Sequence, residues 1–388
     1  MRLLEELKLT NLLSFGGDSQ PVRLGQLNVL IGANGSGKSN FLEAIGLLRS
    51  APTELVVPVR EGGGVRDWLW KGATKPVTAT LEAAVSHEGG SQPLRYRLSF
   101  TEAGARFEVT DERIENAEAS PGKPKPYFYF GYENGRPMLN VKGAHRELRR
   151  EEIDPQRSIL SQRKDPDQYP EVTYLGEVFG RIRIYREWSF GRYTPPRLPQ
   201  PADLPNDHLQ EDGRNLGLVL NRLRREPTIK SRLLEHMARL YGGLDDYEVI
   251  VEAGTVQVFL QEGRWTVPAT RLSDGTLRYL GLLAILCHPT PHPLVCIEEP
   301  ELGLHPDMIP HIATLLRDAA TRTQLIVTTH SDILVDALTE VPEAIIVCEK
   351  NDGATRLNHL SKEDLDPWLQ KYRLGDLWTR GEIGGTRW

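Results

Sequence analysis

Residues 27–50 read LNVLIGANGSGKSNFLEAIGLLRS. A short apolar run, Leu27–Ile31, interrupted only by Asn28, leads into a glycine-dense octet. After the octet Phe41, Leu42, Ile45 and Leu48 fall on one helical face. The octet Gly32-Ala33-Asn34-Gly35-Ser36-Gly37-Lys38-Ser39 has the form G-x-x-x-x-G-K-[ST]. It stands between a strand and a helix, where its chemistry requires it. Glycines let successive backbone N–H groups curl around phosphate oxygens, and the helix N-terminus adds partial positive charge. Lys38 is expected to reach the β- and γ-phosphates of a nucleoside triphosphate, and the Ser39 hydroxyl to ligate Mg²⁺. Asn34 and Asn40 are candidates to position phosphate or water.

A loop that holds a nucleotide with Mg²⁺ calls for an acid elsewhere in the chain. Residues 294–306, LVCIEEPELGLHP, supply two. Carboxylates at the end of an apolar strand are costly unless a cation sits beside them. Glu298 is the candidate metal ligand, and Glu299 the candidate general base for an attacking water. The alternative for either is a plain ion pair with Lys or Arg at a strand end. Glu301 reads as structural. His305 is open between facing a partner subunit and capping, and Pro306 opens a helix.

Two further stretches matter. Arg271-Leu272-Ser273-Asp274-Gly275-Thr276 precedes a long apolar segment. There Ser273 is a good N-cap and Gly275 permits close approach of a ligand. Taken alone this is a helix start. TQLIVTTHSDILVDAL (323–338) is a buried-strand pattern ending in His330, with Ser331 or Asp332 able to cap the helix that follows.

In this order the four elements resemble the Walker A, signature, Walker B and switch-histidine motifs of ABC-type ATPases of the RecF/SMC/OLD-like group. EEPELGLHP and TTHSD are similar to the stand-alone AAA-type ATPases of prokaryotic defence and DNA-maintenance systems. The resemblance covers about 1–110 and 213–388. It departs at Asp274, where the signature commonly has a second glycine. It implies an α/β P-loop NTPase fold, a bilobed ABC ATPase head with an inserted subdomain, around a mostly parallel core sheet. It further implies ATP and Mg²⁺ as cofactors and His330 as a γ-phosphate contact. The expected assembly is a head-to-tail homodimer in which Ser273 and Gly275 of one copy cap ATP held by the other; a higher oligomer stays open. Lys38 and Ser273 are 235 residues apart, too far for a transporter ATPase.

Composition sets wider limits. A chain of 388 residues with 39% hydrophobic and 26% charged content has room for a large core and two or three domains. We place boundaries at 1–125 for the loop-bearing lobe, 126–212 for an irregular inserted subdomain rich in Pro, Arg and aromatic residues, and 213–388 for the C-terminal lobe. Net charge −6 excludes a uniformly basic nucleic-acid binder. Cys287, Cys296 and Cys348 are widely spaced and read as buried free thiols in a reducing compartment. The longest apolar run, YLGLLAILC (279–287), is too short to span a membrane, so a cytoplasmic protein with no membrane contact is expected.

Within these blocks, residues 126–141 form a hairpin pattern around Asn134-Gly135, and YEVIVEAG with TVQVFLQEG forms another. TPPRLPQPADLP (194–205) reads as an extended connector. GRNLGLVLNRLRREPTIKSR (213–232) reads as one basic helix. Its Leu216, Val219, Leu220 and Leu223 face the core, and Arg222, Arg224 and Arg225 lie on a face that is either solvated or in contact with DNA phosphates. The C-terminal stretch YRLGDLWTRGEIGGTRW has the composition of a docked segment. OLD-type relatives carry a Toprim nuclease, which needs a D-x-D pair. The strand-like stretch AIIVCEKNDGATRL (344–357) after His330 has Glu349 and Asp352 but no such pair, so a separately encoded Toprim-like nuclease is the expected effector.

Overall fold

The computed structural model describes residues 2–73, 76–133, 136–141, 144–147, 153–186 and 189–385. Short, mostly apolar runs become its parallel strands. In chain order they are β1 (Leu27–Ile31), β2 (Arg183–Tyr185), β3 (Leu294–Glu298), β4 (Gln324–Thr328) and β5 (Ile345–Asn351); β6 (Ala354–His359) turns back antiparallel. Helices α1 (Lys38–Ser50) and α2 (Asp274–Leu286) carry candidate site residues, α3 (Asp332–Asp336) follows His330, and α4 (Leu374–Thr379) lies in the C-terminal stretch.

The chain divides into two compact units. The first comprises residues 1–182, 343–361 and 381–388. In it β5 pairs with β1 in parallel, Ile345 opposite Val29 and Val347 opposite Ile31, and with β6 in an antiparallel hairpin. Phe41, Leu42, Ile45 and Leu48 are all buried, so α1 shows the face its sequence predicts. An antiparallel sheet fills the rest of this unit. Its eight strands run Val22–Arg23, Leu4–Thr10, Thr78–Val85, Leu94–Ala103, Arg106–Asn116, Phe128–Glu133, Arg136–Val141 and Ala144–Glu147. Ala79, Leu81, Ala83 and Val85 alternate inward, the two-residue period of a sheet with one covered face. The hairpin at residues 128–141 is present, with Glu133 opposite Arg136; its two turn residues, Asn134 and Gly135, lie outside the described residues. Helix Pro170–Gly180 buries Val172, Leu175 and Phe179 in this unit, the Phe179 ring 5.4 Å from that of Tyr96.

One buried polar cluster lies inside the first unit. Glu112 accepts hydrogen bonds from the Tyr96 hydroxyl at 2.7 Å, the Ser158 hydroxyl at 2.5 Å and the Ile159 N–H at 2.8 Å. Burial pushes its carboxyl up to about 7, against the pull of those three donors.

The second unit comprises residues 183–342 and 362–380. Strands β2, β3 and β4 pair in parallel, Glu298 opposite Thr328. The largely apolar segment after Thr276 becomes α2, with every residue from Leu277 to Leu286 buried, Arg278 among them. The YEVIVEAG/TVQVFLQEG hairpin is present, with Glu252 opposite Thr255. The segment 213–232 is two helices, Leu216–Leu223 and Pro227–Leu240, because Pro227 occupies the first turn of the second. Leu216, Val219, Leu220 and Leu223 are buried, while Arg222 and Arg225 are exposed. Residues 194–205, expected as an extended connector, include the short strand Gln200–Pro201, which pairs with Thr255–Val256, and Arg197 within them is buried. The tail segment docks on its own chain through α4, whose Gly375 N–H donates to Asp336 at 2.9 Å while Trp378 is buried. All three cysteines are buried free thiols, and among the described residues no helix is long and apolar enough to cross a membrane.

Candidate nucleotide site

The phosphate loop is shaped by close approach. Gly32 has φ +149°, and a Cβ there would sit 2.3 Å from the Cys348 carbonyl oxygen. Gly37, at φ +109° immediately before α1, would place a Cβ 2.2 Å from Thr355 Oγ1 and 2.8 Å from Ser14 Oγ. Both positions therefore require glycine for space as well as for backbone conformation. The Thr355 hydroxyl hydrogen-bonds the Ser36 carbonyl at 2.8 Å and the Ser14 hydroxyl at 2.7 Å, bracing the loop from outside. Lys38 is buried, and its ammonium donates to the carbonyls of Gly32 at 2.7 Å and Ala33 at 3.1 Å. It thus lies against the loop it is expected to serve.

The loop fits a phosphate. Its glycines leave a cradle that side chains would fill, and the Ser36 hydroxyl is buried without a hydrogen-bond partner among the described residues, which an anionic oxygen would supply. Asn34 and Gly35 are exposed, and Ser39 and Asn40 sit half-buried in the first turn of α1. A cavity of about 260 Å³ opens beside the loop, lined by Ala33–Ser36, the end of β5 from Cys348 to Asn351, and Gly385. The Gly385 N–H donates to Glu349 at 3.0 Å on its rim.

In the second unit, the acids at the tip of β3 have distinct surroundings. Glu298 closes the strand, and its Oε2 lies 2.9 Å from Arg186 Nε, at the end of neighbouring β2. This is the ion pair that sequence left open as its alternative role. Glu299 leaves the strand in the left-handed region at φ +46°, a strained setting for a non-glycine residue. Its N–H donates to the Thr328 carbonyl at 2.9 Å, and its own carbonyl accepts from Arg278 Nη2 at 3.1 Å. This turn aims the Glu299 carboxylate at the tip of β4, where Oε1 is 3.4 Å from His330 Nε2. Glu301, largely buried, accepts from the Thr329 hydroxyl at 2.5 Å and the His330 N–H at 3.2 Å. Burial raises its carboxyl above the usual range. Glu301 is thus part of the frame around His330. Arg278, buried on α2 between Glu301 and Glu299, is pulled below the usual guanidinium range by burial.

Ser273 caps α2, its hydroxyl accepting from the Thr276 N–H at 3.0 Å. A Cβ at Gly275 would lie 2.5 Å from the Gly303 carbonyl, so this glycine admits the loop that follows the two acids. Ser331 caps α3, accepting from Leu334 N–H at 3.2 Å, and His305 Nδ1 accepts from Asp307 N–H at 3.4 Å. Within the first unit the residues from Gly32 to Asn40 come together; within the second, Glu298, Glu299 and His330 do. Sequence reasoning missed Ser14, Thr355, Arg186, Arg197 and Arg278. Only the Arg after the β2 pattern RIRIY stood at a strand end, where function is expected.

Comparison with known proteins agrees with this architecture. The family described as "AAA domain, putative AbiEii toxin, Type IV TA system" matches residues 27–336. No curated protein matches the chain. Among solved structures, the chain is similar to an SMC head bound to the C-terminal winged-helix domain of ScpA, with TM-score 0.54 and 17% identity over 93% of this chain and 99% of that one. It is also similar to the SMC head with an extended coiled coil, bound to the C-terminal domain of ScpA, from Pyrococcus furiosus (TM-score 0.57, 16% identity, 96% and 99% covered). A third is the SMC head with a coiled coil and joint from Pyrococcus yayanosii (TM-score 0.51, 13% identity, 96% and 99% covered). At these identities the likeness speaks for the fold, an α/β P-loop NTPase of the ABC or SMC-head kind. On the extent of the family match, the chain belongs to this AAA-domain ATPase family.

Proposed function

We propose that the chain binds ATP with Mg²⁺ at Gly32–Ser39 and hydrolyses it in a homodimer closed around the nucleotide. The observation that carries this is the contact between Glu299 and His330 at the tips of two adjacent parallel strands. A carboxylate fixed by its own strained backbone, with an imidazole at its side, suits removal of a proton from an attacking water. Glu299 takes that proton, and His330 orients the carboxylate and meets the γ-phosphate. Lys38 moves from the loop carbonyls to the β- and γ-phosphate oxygens, and the N-terminus of α1 with the loop N–H groups holds the remaining charge. Asn34 and Asn40 position phosphate or water. Ser39 and Glu298 would hold Mg²⁺, which when bound neutralises charge on the phosphates. Ser273 and Gly275 of the second copy present a helix N-terminus to the same phosphates.

The machine is read as a cytoplasmic one, an OLD-like head serving a DNA-repair or anti-phage defence assembly with a separate Toprim-like nuclease as effector. DNA contact would run through Arg222 and Arg225, both exposed, and the half-buried Arg224. A higher oligomer is compatible with the same dimer. The domain division at 125 and 212 is part of this proposal. A second reading, a slow ATP-gated scaffold that restrains an effector, is favoured by one observation: Glu298 is paired with Arg186 through Oε2, and the guanidinium competes with a metal for the carboxylate.

Purified protein with ATP and Mg²⁺ is expected to release phosphate and to double in mass by light scattering. Loss of both in Lys38→Ala, with the fold intact, supports the proposal; unchanged turnover in Lys38→Ala sinks it. A Glu299→Gln protein that keeps full biological activity selects the scaffold reading. Affinity purification from the native host that recovers no nuclease partner removes the effector.

A further inference from the structure

The residue at which the signature-like stretch departs from its relatives has a counterpart elsewhere in the chain. Asp274 opens α2, its side chain about two-thirds exposed, and its Oδ1 accepts from Nη2 of Arg197. Arg197 itself is buried, its side chain 8% exposed. A buried guanidinium is tolerable only when its donors are met, and here they are met by backbone. Nη1 donates to the carbonyls of Ala269 (3.4 Å), Thr270 (3.5 Å) and Leu272, while Nε and Nη2 donate to the Phe190 carbonyl at 3.2 and 3.1 Å.

We propose that Arg197 is a positioning residue for the signature loop, the part of the chain expected to engage the triphosphate held by a second copy; the inference rests on that reading. Two physical effects follow from the geometry. In a trans peptide the N–H points opposite to the C=O. A guanidinium that draws the Leu272 carbonyl inward therefore turns the Ser273 N–H outward, beside an exposed Ser273. The loop is thereby set with a donor on its outer side. The second effect is charge. A carboxylate at the first position of α2 favours the helix but repels a polyphosphate, and a glycine would do neither. Arg197 cancels the Asp274 charge where the phosphate would approach. Arginine is needed because a planar fork reaches several carbonyls and a carboxylate at once, which an ammonium cannot do.

The test uses the full chain in three variants. Arg197→Met should lower ATP turnover and ATP-dependent pairing by about a hundredfold, while affinity for a fluorescent ATP analogue changes by less than about threefold. Adding Asp274→Asn to Arg197→Met should recover about tenfold of that loss, because the uncompensated charge is gone. Arg197→Lys, which keeps the charge without the fork, covers the case in which Arg197→Met fails to fold; it should lose about tenfold in turnover and expose the amides of residues 270–276 to about tenfold faster hydrogen exchange. Wild-type turnover and wild-type protection in Arg197→Lys would overturn the assignment, and a double variant no better than Arg197→Met would remove its charge component. If the unaltered protein neither pairs nor turns over ATP, the dimer reading fails, and the exchange rates at 270–276 alone decide whether Arg197 sets the loop.

Discussion

Glu299 Oε1 lies 3.4 Å from His330 Nε2, each residue standing one or two positions beyond the last residue of its own parallel strand. The pairing Glu298 opposite Thr328 fixes this distance. Groups so placed act as a unit. Glu299→Gln is expected to lower turnover by about 10²–10³-fold, and His330→Ala by about 10². The double variant should be no worse than the poorer single one. Steady-state phosphate release measures all three, with nucleotide affinity as the control that should not change.

Arg278 offers a separate handle on the same carboxylate. Arg278→Met removes the donor to the Glu299 carbonyl and relaxes a backbone held at φ +46°. A lost hydrogen bond from a charged group amounts to about 1.5–3 kcal/mol, so turnover should fall by about tenfold or more through kcat, with KM nearly constant. An equal fall through KM would mean that Arg278 acts on nucleotide binding instead.

The glycines of the phosphate loop should differ sharply. Gly37→Ala drives a Cβ into Thr355 and Ser14 and should abolish nucleotide binding while lowering Tm. Gly35 also has positive φ, +78°, but open space around it, so Gly35→Ala should cost only about 1–2 kcal/mol of stability. Calorimetry and analogue binding on the two variants separate collision from backbone strain.

Glu112 predicts a pH dependence of stability away from the site. Its carboxyl is raised by burial to about 7 in the folded chain, from an ordinary value of 4.5. The folded state therefore holds the proton more tightly, and the stabilisation is complete below about 4.5 and lost as pH rises through 7. The loss amounts to about 3 kcal/mol across that window. Glu112→Gln, which cannot ionise, should flatten this component. Denaturant unfolding of both proteins at several pH values gives the difference, and parallel curves would refute the prediction.

The phosphate loop was legible because everything it needs is contiguous: a strand, eight residues and a helix whose Phe41, Leu42, Ile45 and Leu48 face inward. The acids and His330 were legible because each ends an apolar strand. What escaped depended on distance along the chain or on competing local signals. Arg197 sits in TPPRLPQPADLP, where proline obscures any period, and its partners lie about 75 residues on. Arg186 meets Glu298 across 112 residues. Helix Pro170–Gly180 carries Val172, Leu175 and Phe179 on one face, but the charged and proline-rich neighbourhood masked that spacing. Pro227 was a visible break signal whose weight the continuing basic pattern hid.

Thr355 braces Ser36 from 319 residues away, and β5 flanks β1 from a similar remove. During synthesis on the ribosome, the strand and hydroxyl that fix the shape of residues 32–39 emerge only after some 319 further residues have been made. A nascent chain arrested before residue 345 would hold the glycine octet without its scaffold. The ability to grip a nucleotide should therefore arise late and all at once during translation.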